Sequence, residues 1–405
     1  MRLIIQKFGG TSIADTTKIK TIVSVIEKEL AQKSQLVIVV SAMAGVTNQL
    51  IKLCNEVSTL TDSSKLQEYD AALSSGEIVS AALLALALQE KNIKARSFAA
   101  WQLPLQTNDN ASQASVQHFD VACIKECLEF NVIPIIAGFQ GVSPGNRITT
   151  LGRGGSDITA VHAAAVLKAD RCDIYTDVEG VFSADPKIVC HARMLATVSY
   201  RQMLEFASSG AKVLHPHSVE IAMRYNINLR VLSSFSSNSG TSIIKEIKTT
   251  EQNFITGITS NKNLLNVEVS GADIDISELC IIISEHDIQI EFMQSTQLPE
   301  GNYSFLSSIS DKNNLELLLN KLKDVQKIKS FNIHSDIATV TVVGYGIKSD
   351  CKVLHSIMLK LKSTNIPIKM IEISEIKITI LINNIYTEKA ISALHELIIE
   401  YPEHP

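Results

Sequence analysis

Four short runs of nearly unbroken apolar residues limit what this chain can fold into: RLIIQKF (2–8), LVIVV (36–40), NVIPIIAG (131–138) and RCDIYT (171–176). A strand with one face in water alternates apolar and polar residues, whereas a strand covered on both faces does not. Between these runs lie longer stretches of helical period. In KIKTIVSVIEKELAQK (18–33), Ile19, Ile22, Val23, Ile26 and Leu30 share one face. The alternation predicts an α/β fold over residues 1–245, built of βαβ units with a mostly parallel sheet covered by helices on both faces. VSAALLALALQ (79–89) is too short to cross a bilayer and predicts a buried helix.

The pattern changes near 233–255, where SSFSSNSGTS is rich in serine and KEIKTTEQN is polar, so a linker is expected there. Beyond it, 256–325 and 337–405 each read as strand, helix, strand, strand, helix. ISELCIIISEHDIQIEFMQST (276–296) and KVLHSIMLKLKSTNIPIKMIEIS (352–374) follow the same course from helix through polar turn to strand. This is a weak internal repeat of βαββαβ type, with two small modules that are possibly interleaved.

The net charge of −5 and the lack of any dense Lys/Arg run argue against nucleic acid or an anionic membrane as the main partner. Seven cysteines include no CxxC pair, so reduced thiols are the simpler reading. The first residues enter a strand directly, without signal-peptide architecture. A cytoplasmic location is expected.

Four glycine-bearing loops follow predicted strands. KFGGTS (7–12) puts a lysine beside two glycines, which let backbone N–H groups approach a ligand; alone, it reads more readily as a tight turn with a surface lysine. The Walker spacing is absent. VSAMAGVTNQL (40–50) offers Ser41, Gly45 and Thr47, as crevice hydroxyls or as helix caps. TLGRGGSDITA (150–160) sets Arg153, Ser156 and Asp157 among three glycines ahead of a helix, an arrangement suited to a carboxylate or other anion. YTDVEGVFSADPKIV (175–189) is an ordinary loop by itself, with room for a nucleotide across it. All four are expected at one edge of the sheet.

Together KFGGTS, VSAMAGVTN, SSGE (74–77), TLGRGGSD, YTDVEGVFSADP and GAKVLHPHSVEIA (210–222) resemble the aspartate kinases (aspartokinases) of the amino-acid kinase superfamily, in order and in spacing. The modules that follow resemble the tandem ACT domains of those enzymes, and ISEIKIT (373–379) is similar to a phrase of their second ACT domain. The resemblance implies an amino-acid kinase catalytic domain over 1–245 and ACT domains over 256–325 and 337–405. It also implies transfer of the γ-phosphoryl of ATP, accompanied by Mg²⁺, to the side-chain carboxylate of L-aspartate, the entry to lysine, threonine and methionine synthesis.

Carried over residue by residue, Lys7 and Lys212 would serve the phosphates, with Asp157 orienting the lysines. Phe8, Gly9, Gly10, Thr176, Asp177, Phe182, Asp185, Lys187 and Val213 would line the nucleotide. Arg153, with Gly154, Gly155 and Ser156, would take a carboxylate of aspartate. Glu77 would meet its ammonium group, with Ser41 and Thr47 adding hydrogen bonds. Glu77 also reads as an ordinary acid in a helix's first turn. Phe182 stands where the family usually has Tyr, and Lys187 where it has Arg, which removes a phenol and a planar fork from the nucleotide loop.

In the regulatory half, SGADIDIS (270–277) and SDCKV (349–353) lack the Pro-Gly pair the family carries at these places. Asn365 is the candidate effector contact, for lysine, threonine, both or neither. A homodimer or higher homo-oligomer through the ACT modules is expected, because sheet edges need covering. No methionine lies between Met223 and Met293, so a separate Met-initiated small subunit is not expected. Competing readings are another amino-acid kinase acting on glutamate or acetylglutamate, and a catalytically weak ACT-based amino-acid sensor.

Overall fold

The computed structural model describes residues 1–60, 62–236, 238–245, 254–286, 288–297, 301–349 and 351–400. The chain divides into two compact units: residues 1–182, 193–208 and 212–249, and residues 183–192, 209–211 and 250–405.

The first unit opens with β1 (Leu3–Phe8), α1 (Thr16–Leu30), β2 (Gln35–Val40), α2 (Val46–Val57), α3 (Ser63–Gln89) and β3 (Ala95–Phe98). It continues through β4 (Leu105–Thr107), β5 (Val116–Phe119), α4 (Ala122–Glu129), β6 (Ile133–Ala137), β7 (Gln140–Val142) and β8 (Ile148–Thr150). It closes with α5 (Gly155–Leu167), β9 (Arg171–Thr176), β10 (Thr197–Ser199), α6 (Tyr200–Ser208), α7 (Pro216–Tyr225), β11 (Leu229–Ser233) and β12 (Thr241–Ile244). Eight strands form the main sheet in the order β10-β12-β11-β9-β1-β2-β6-β3, parallel except where β11 meets β12. The predicted runs are its central strands. A second sheet, β5-β4-β7-β8, stands apart.

Strand alternation sorts the side chains of β1. Ile4 and Phe8 join Ile22 and Ile26 of α1 and Leu84 and Leu88 of α3 in one core. Lys7, one residue out of phase, lies on the opposite side, where it meets α5. Helix α1 starts where Asp15 accepts a hydrogen bond from the Lys18 N–H at 2.8 Å, two residues ahead of the predicted start. Behind the main sheet, Asp173 is fully buried and held by the guanidinium groups of Arg171 (2.7 Å) and Arg230 (2.9 Å), the first of which also reaches Glu29 at 3.1 Å.

Two expectations for this unit are corrected. The buried helix expected over 79–89 is the second half of α3, which begins at Ser63, so Glu77 stands at mid-helix and not in a first turn. Gly76 costs helix about 1 kcal/mol relative to alanine, but here a side chain would meet Cβ of Ala42 at 2.8 Å. The glycine keeps α3 close to the end of β2. Helix α3 alone among the described residues is long and apolar enough to cross a membrane, and half of its most apolar window is buried inside the protein. The serine-rich stretch is also not a linker: its described residues 233–236 and 238–242 run from the end of β11 into antiparallel β12, where Gly240 (φ 70°) passes so near the Val231 carbonyl that no Cβ fits. The rest of the expected linker, 246–253, lies outside the described residues.

The second unit contains β13 (Phe254–Asn261), β14 (Leu264–Ser270), α8 (Ile276–Ser284), β15 (Ile290–Gln297), β16 (Asn302–Ser308), α9 (Lys312–Asp324) and β17 (Ser330–His334). Then follow β18 (Ile337–Tyr345), α10 (Cys351–Ser363), β19 (Ile368–Ile373), β20 (Lys377–Asn383), α11 (Thr387–His395) and α12 (Leu397–Glu400). One sheet runs β15-β16-β14-β17 and the other β13-β18-β20-β19. The first module therefore spans 264–334 rather than 256–325, and is βαββαβ. The second takes its fourth strand from β13, upstream of the first module, so the modules are interleaved. Each sheet buries one face under its helices, with Leu279, Leu315 and Leu319 in the first module and Val353, Ile357 and Leu394 in the second. The other faces meet through Leu264, Leu306, Ile337 and Leu381. Beside that contact is a cavity of about 370 Å³ bordered by Glu268, Gln294, Lys369 and Met370.

Candidate active site

The loops after β1, β2 and β9 are tied together at the carboxyl ends of the parallel strands. Gly9 donates its N–H to the Tyr175 carbonyl at 3.0 Å, and Ala44 donates to the Gly10 carbonyl at 3.1 Å. A Cβ on Gly10 would stand 2.8 Å from the Ala42 carbonyl oxygen, so only glycine lets the first two loops approach this closely. Ser41 donates its N–H to the Phe8 carbonyl at 3.1 Å.

Lys7 points out of this floor. Its Nζ lies 2.6 Å from Oδ1 of Asp157, and both side chains are nearly nine-tenths buried. Asp157 occupies the first turn of α5, whose N-cap is Gly154 at φ 70°. A side chain there would also strike His215 Cβ at 2.3 Å. The RGG sequence thus has two causes, a left-handed backbone and the close pass of the residue that begins α7. Gly138, just past β6, abuts Ser156, and a Cβ added there would stand 2.8 Å from Ser156 Cβ. The helix start places N–H groups and an acid next to a cation, and a buried ion pair of this kind depends on its geometry for stability.

Glu77 is buried against the second loop. Its Oε1 accepts from the Ala42 N–H at 3.0 Å, while Oε2, equally buried, has no hydrogen-bond partner. Burial pushes its carboxyl up to about 7 against the pull of its backbone donors. A buried carboxylate oxygen without a donor is costly unless a ligand supplies one.

The remaining expected residues fall around this core. Thr47 sits in the first turn of α2, after Gly45 at φ 85°. Arg153 is exposed on the loop between β8 and α5. Thr176 donates its hydroxyl to Asp177 at 3.1 Å, just past the end of β9. Phe182 forms an isolated bridge with Met194. Lys212 is exposed and Val213 partly buried, leading into the His215 contact with Gly154. Phe8 departs from expectation: its ring is fully buried and stacked on Tyr175 at 4.8 Å, so only its main chain reaches the strand end. Asp185 and Lys187 belong to the second unit, where Asp185 caps the Lys187 N–H at 2.9 Å. Asn365, also in that unit, takes φ 53° just past α10. That left-handed turn explains an asparagine without any ligand.

Sequence reasoning missed His215. Burial lowers its pKa, opposed by the nearby Asp157, and its Nδ1 is buried without a hydrogen-bond partner. The signal available was His-Pro at a helix start within GAKVLHPHSVEIA, since proline favours the first helical position.

Comparison with known proteins agrees with this geometry. Residues 2–233 match the amino acid kinase family and residues 340–397 match an ACT domain. The chain is 53% identical to the aspartokinase of Rickettsia felis over 98% of this chain and 99% of that one. It is 38% identical to aspartokinase 2 of Bacillus subtilis over 100% and 99% of the two chains. Its fold is that of E. coli aspartokinase III in complex with aspartate and ADP, with a TM-score of 0.82 at 24% identity, covering 98% of this chain and 100% of that one. The family match over more than half of the chain and the similarity to aspartokinases along its full length make this chain a member of the aspartokinase family.

Proposed function

We propose that the protein is an ATP-dependent aspartate kinase that makes 4-phospho-L-aspartate. The observation that carries this reading is the Lys7–Asp157 pair beside Gly9, Gly10 and the half-unpartnered Glu77. An aspartate side-chain carboxylate, with a reference pKa of about 3.9, is already ionised at neutral pH and needs no general base. One of its oxygens attacks the γ-phosphorus, the bond to the β–γ bridging oxygen breaks, and ADP leaves. The obstacle is repulsion between two anions, so the site must supply positive charge and alignment.

Lys7 neutralises the transferring phosphoryl group, Asp157 fixes the direction of its ammonium, and the Gly9 and Gly10 amides face the phosphates. Lys212 adds a second cation. Glu77 Oε2 receives the substrate ammonium, Arg153 with the Gly154–Ser156 turn takes a carboxylate, and Ser41 and Thr47 add hydrogen bonds. Thr176, Asp177, Phe182 and Val213 line the nucleotide. Among the described residues no three His, Cys, Asp or Glu side chains gather to hold a metal. Mg²⁺ would accompany the nucleotide and offset the charge of its phosphates.

The ACT modules regulate this activity in response to lysine or threonine, with Asn365 as an effector contact. The cavity between the modules, bordered by Glu268 and Lys369, offers both charges that an amino acid requires. The protein is a cytoplasmic homodimer joined through its ACT sheets. Edge strand β19 supports this, since it exposes Ile368, Ile371 and Ile373.

A coupled assay of ADP release tests the reading. Turnover is expected with aspartate and not with glutamate, and inhibition is expected when lysine or threonine is added. Equal turnover with glutamate would overturn the substrate, and no turnover with either, alongside intact amino-acid binding, would favour a sensor.

A further inference from the structure

Asp70, seven residues before Glu77 on α3, is fully buried, and nothing in the chemistry above uses it. Its Oδ2 accepts from the N–H groups of Ser112 at 2.8 Å and Thr150 at 2.9 Å, and its Oδ1 accepts from the Thr150 hydroxyl at 2.7 Å. Burial pushes its carboxyl upward and these three donors pull it back. All three atoms facing it are donors. The two backbone N–H groups can only donate, whereas the Thr150 hydroxyl can also accept, so an alanine, and not the near-isosteric asparagine, removes the whole set.

Thr150 ends β8, three residues before Arg153. Its carbonyl accepts from the Ala114 N–H at 2.9 Å, and the next residue, Leu151, donates to the Phe139 carbonyl at 2.8 Å. Every polar atom of Thr150 is thereby fixed just before the chain enters Gly152 and Gly154, both left-handed at φ 69° and 70°. Two glycines flanking Arg153 give the loop little stiffness of its own, so its position depends on this anchor.

Residues seven apart on a helix share a face two turns along. From that face of α3, Glu77 holds the loop after β2 through the Ala42 N–H, while Asp70 holds the loop after β8. We infer that Asp70 is a positioning residue for substrate binding: through Thr150 it sets Arg153 at a fixed distance from Glu77, so that one helix spaces the carboxylate-binding and ammonium-binding ends of the aspartate pocket. This rests on the proposed role of Arg153.

The test uses Asp70→Ala, Thr150→Val, Thr150→Ser and Arg153→Ala in the full chain, with KM for aspartate, KM for ATP and Tm measured for each. A misplacement of about 1 Å at a binding group is enough for large kinetic losses. Asp70→Ala and Thr150→Val are expected to raise the aspartate KM about tenfold while the ATP KM moves less than about twofold, and Thr150→Ser, which keeps the hydroxyl, should restore it. If Asp70→Ala fails to fold, Thr150→Val, which deletes a single hydrogen bond, carries the comparison. A lowered Tm with an unchanged aspartate KM would make Asp70 merely structural and overturn the inference. Should Arg153→Ala raise the aspartate KM while neither Asp70→Ala nor Thr150→Val does, this inference alone falls. Should Arg153→Ala leave it unchanged, the role of Arg153 falls as well.

Discussion

Glu77 makes aspartate binding depend on pH in a calculable way. Its carboxyl sits at about 7 in the ligand-free protein, because burial outweighs its hydrogen bond from Ala42. A substrate ammonium at Oε2 needs the ionised form, so binding must expel the proton wherever Glu77 still holds it. With that pKa the ionised fraction rises from about a tenth at pH 6 to nearly all at pH 8. The apparent affinity for aspartate should therefore strengthen about tenfold across this interval. Isothermal titration in buffers of different ionisation enthalpy reads the effect twice, as affinity and as protons released per aspartate bound. Glu77→Gln should weaken binding roughly 10- to 100-fold, the loss of a hydrogen bond to a charged group, and should abolish both the slope and the proton release. The same shift has a stability signature of opposite sign. Between 4.5, the ordinary value, and about 7 the folded protein holds a proton that the unfolded chain has lost, so ligand-free stability falls as pH rises through that window. The loss amounts to about 3 kcal/mol and is absent in Glu77→Gln. Affinity that is flat between pH 6 and 8, with no proton released, would refute the reasoning.

Gly154→Ala should raise the aspartate KM and lower Tm, because the new methyl meets His215 at 2.3 Å on a left-handed backbone; wild-type values for both would show that the turn tolerates a side chain. Asp173→Ala should destabilise the first unit by about 3–5 kcal/mol in urea unfolding, by stranding Arg230 and leaving Arg171 with Glu29 alone, and a loss below about 1 kcal/mol would mean that solvent already screens these charges. Ile371→Lys, on the exposed edge strand β19, should shift the protein from dimer to monomer in light scattering; an unchanged dimer would place the interface elsewhere.

Much of the catalytic unit was legible because its strands are buried on both faces and read as unbroken apolar runs. The glycine loops were legible because close backbone approach leaves few alternatives at Gly10 and Gly154. What the sequence concealed was decided by distant contacts. The start of α3 was hidden because Ser74-Ser75-Gly76 looks like a break, yet the packing of Gly76 on Ala42 makes that glycine useful inside a helix. Phe8 was expected beside the nucleotide, whereas alternation along β1 turns its ring away from Lys7 and leaves only its main chain at the strand end. Interleaving of the modules was raised by the sequence, but that β13 is the strand that crosses was hidden, because a strand's sequence does not say which sheet edge it joins. Asp70, 80 residues from Thr150, carried no local signal.

The most direct measurement is a crystal structure with an ATP analogue and aspartate bound. The account predicts the γ-phosphate within hydrogen-bonding distance of Lys7 Nζ and the Gly9 or Gly10 amide, with the substrate ammonium on Glu77 Oε2. Phosphates lying away from Lys7 and the glycine amides, with Glu77 still unpartnered, would contradict it.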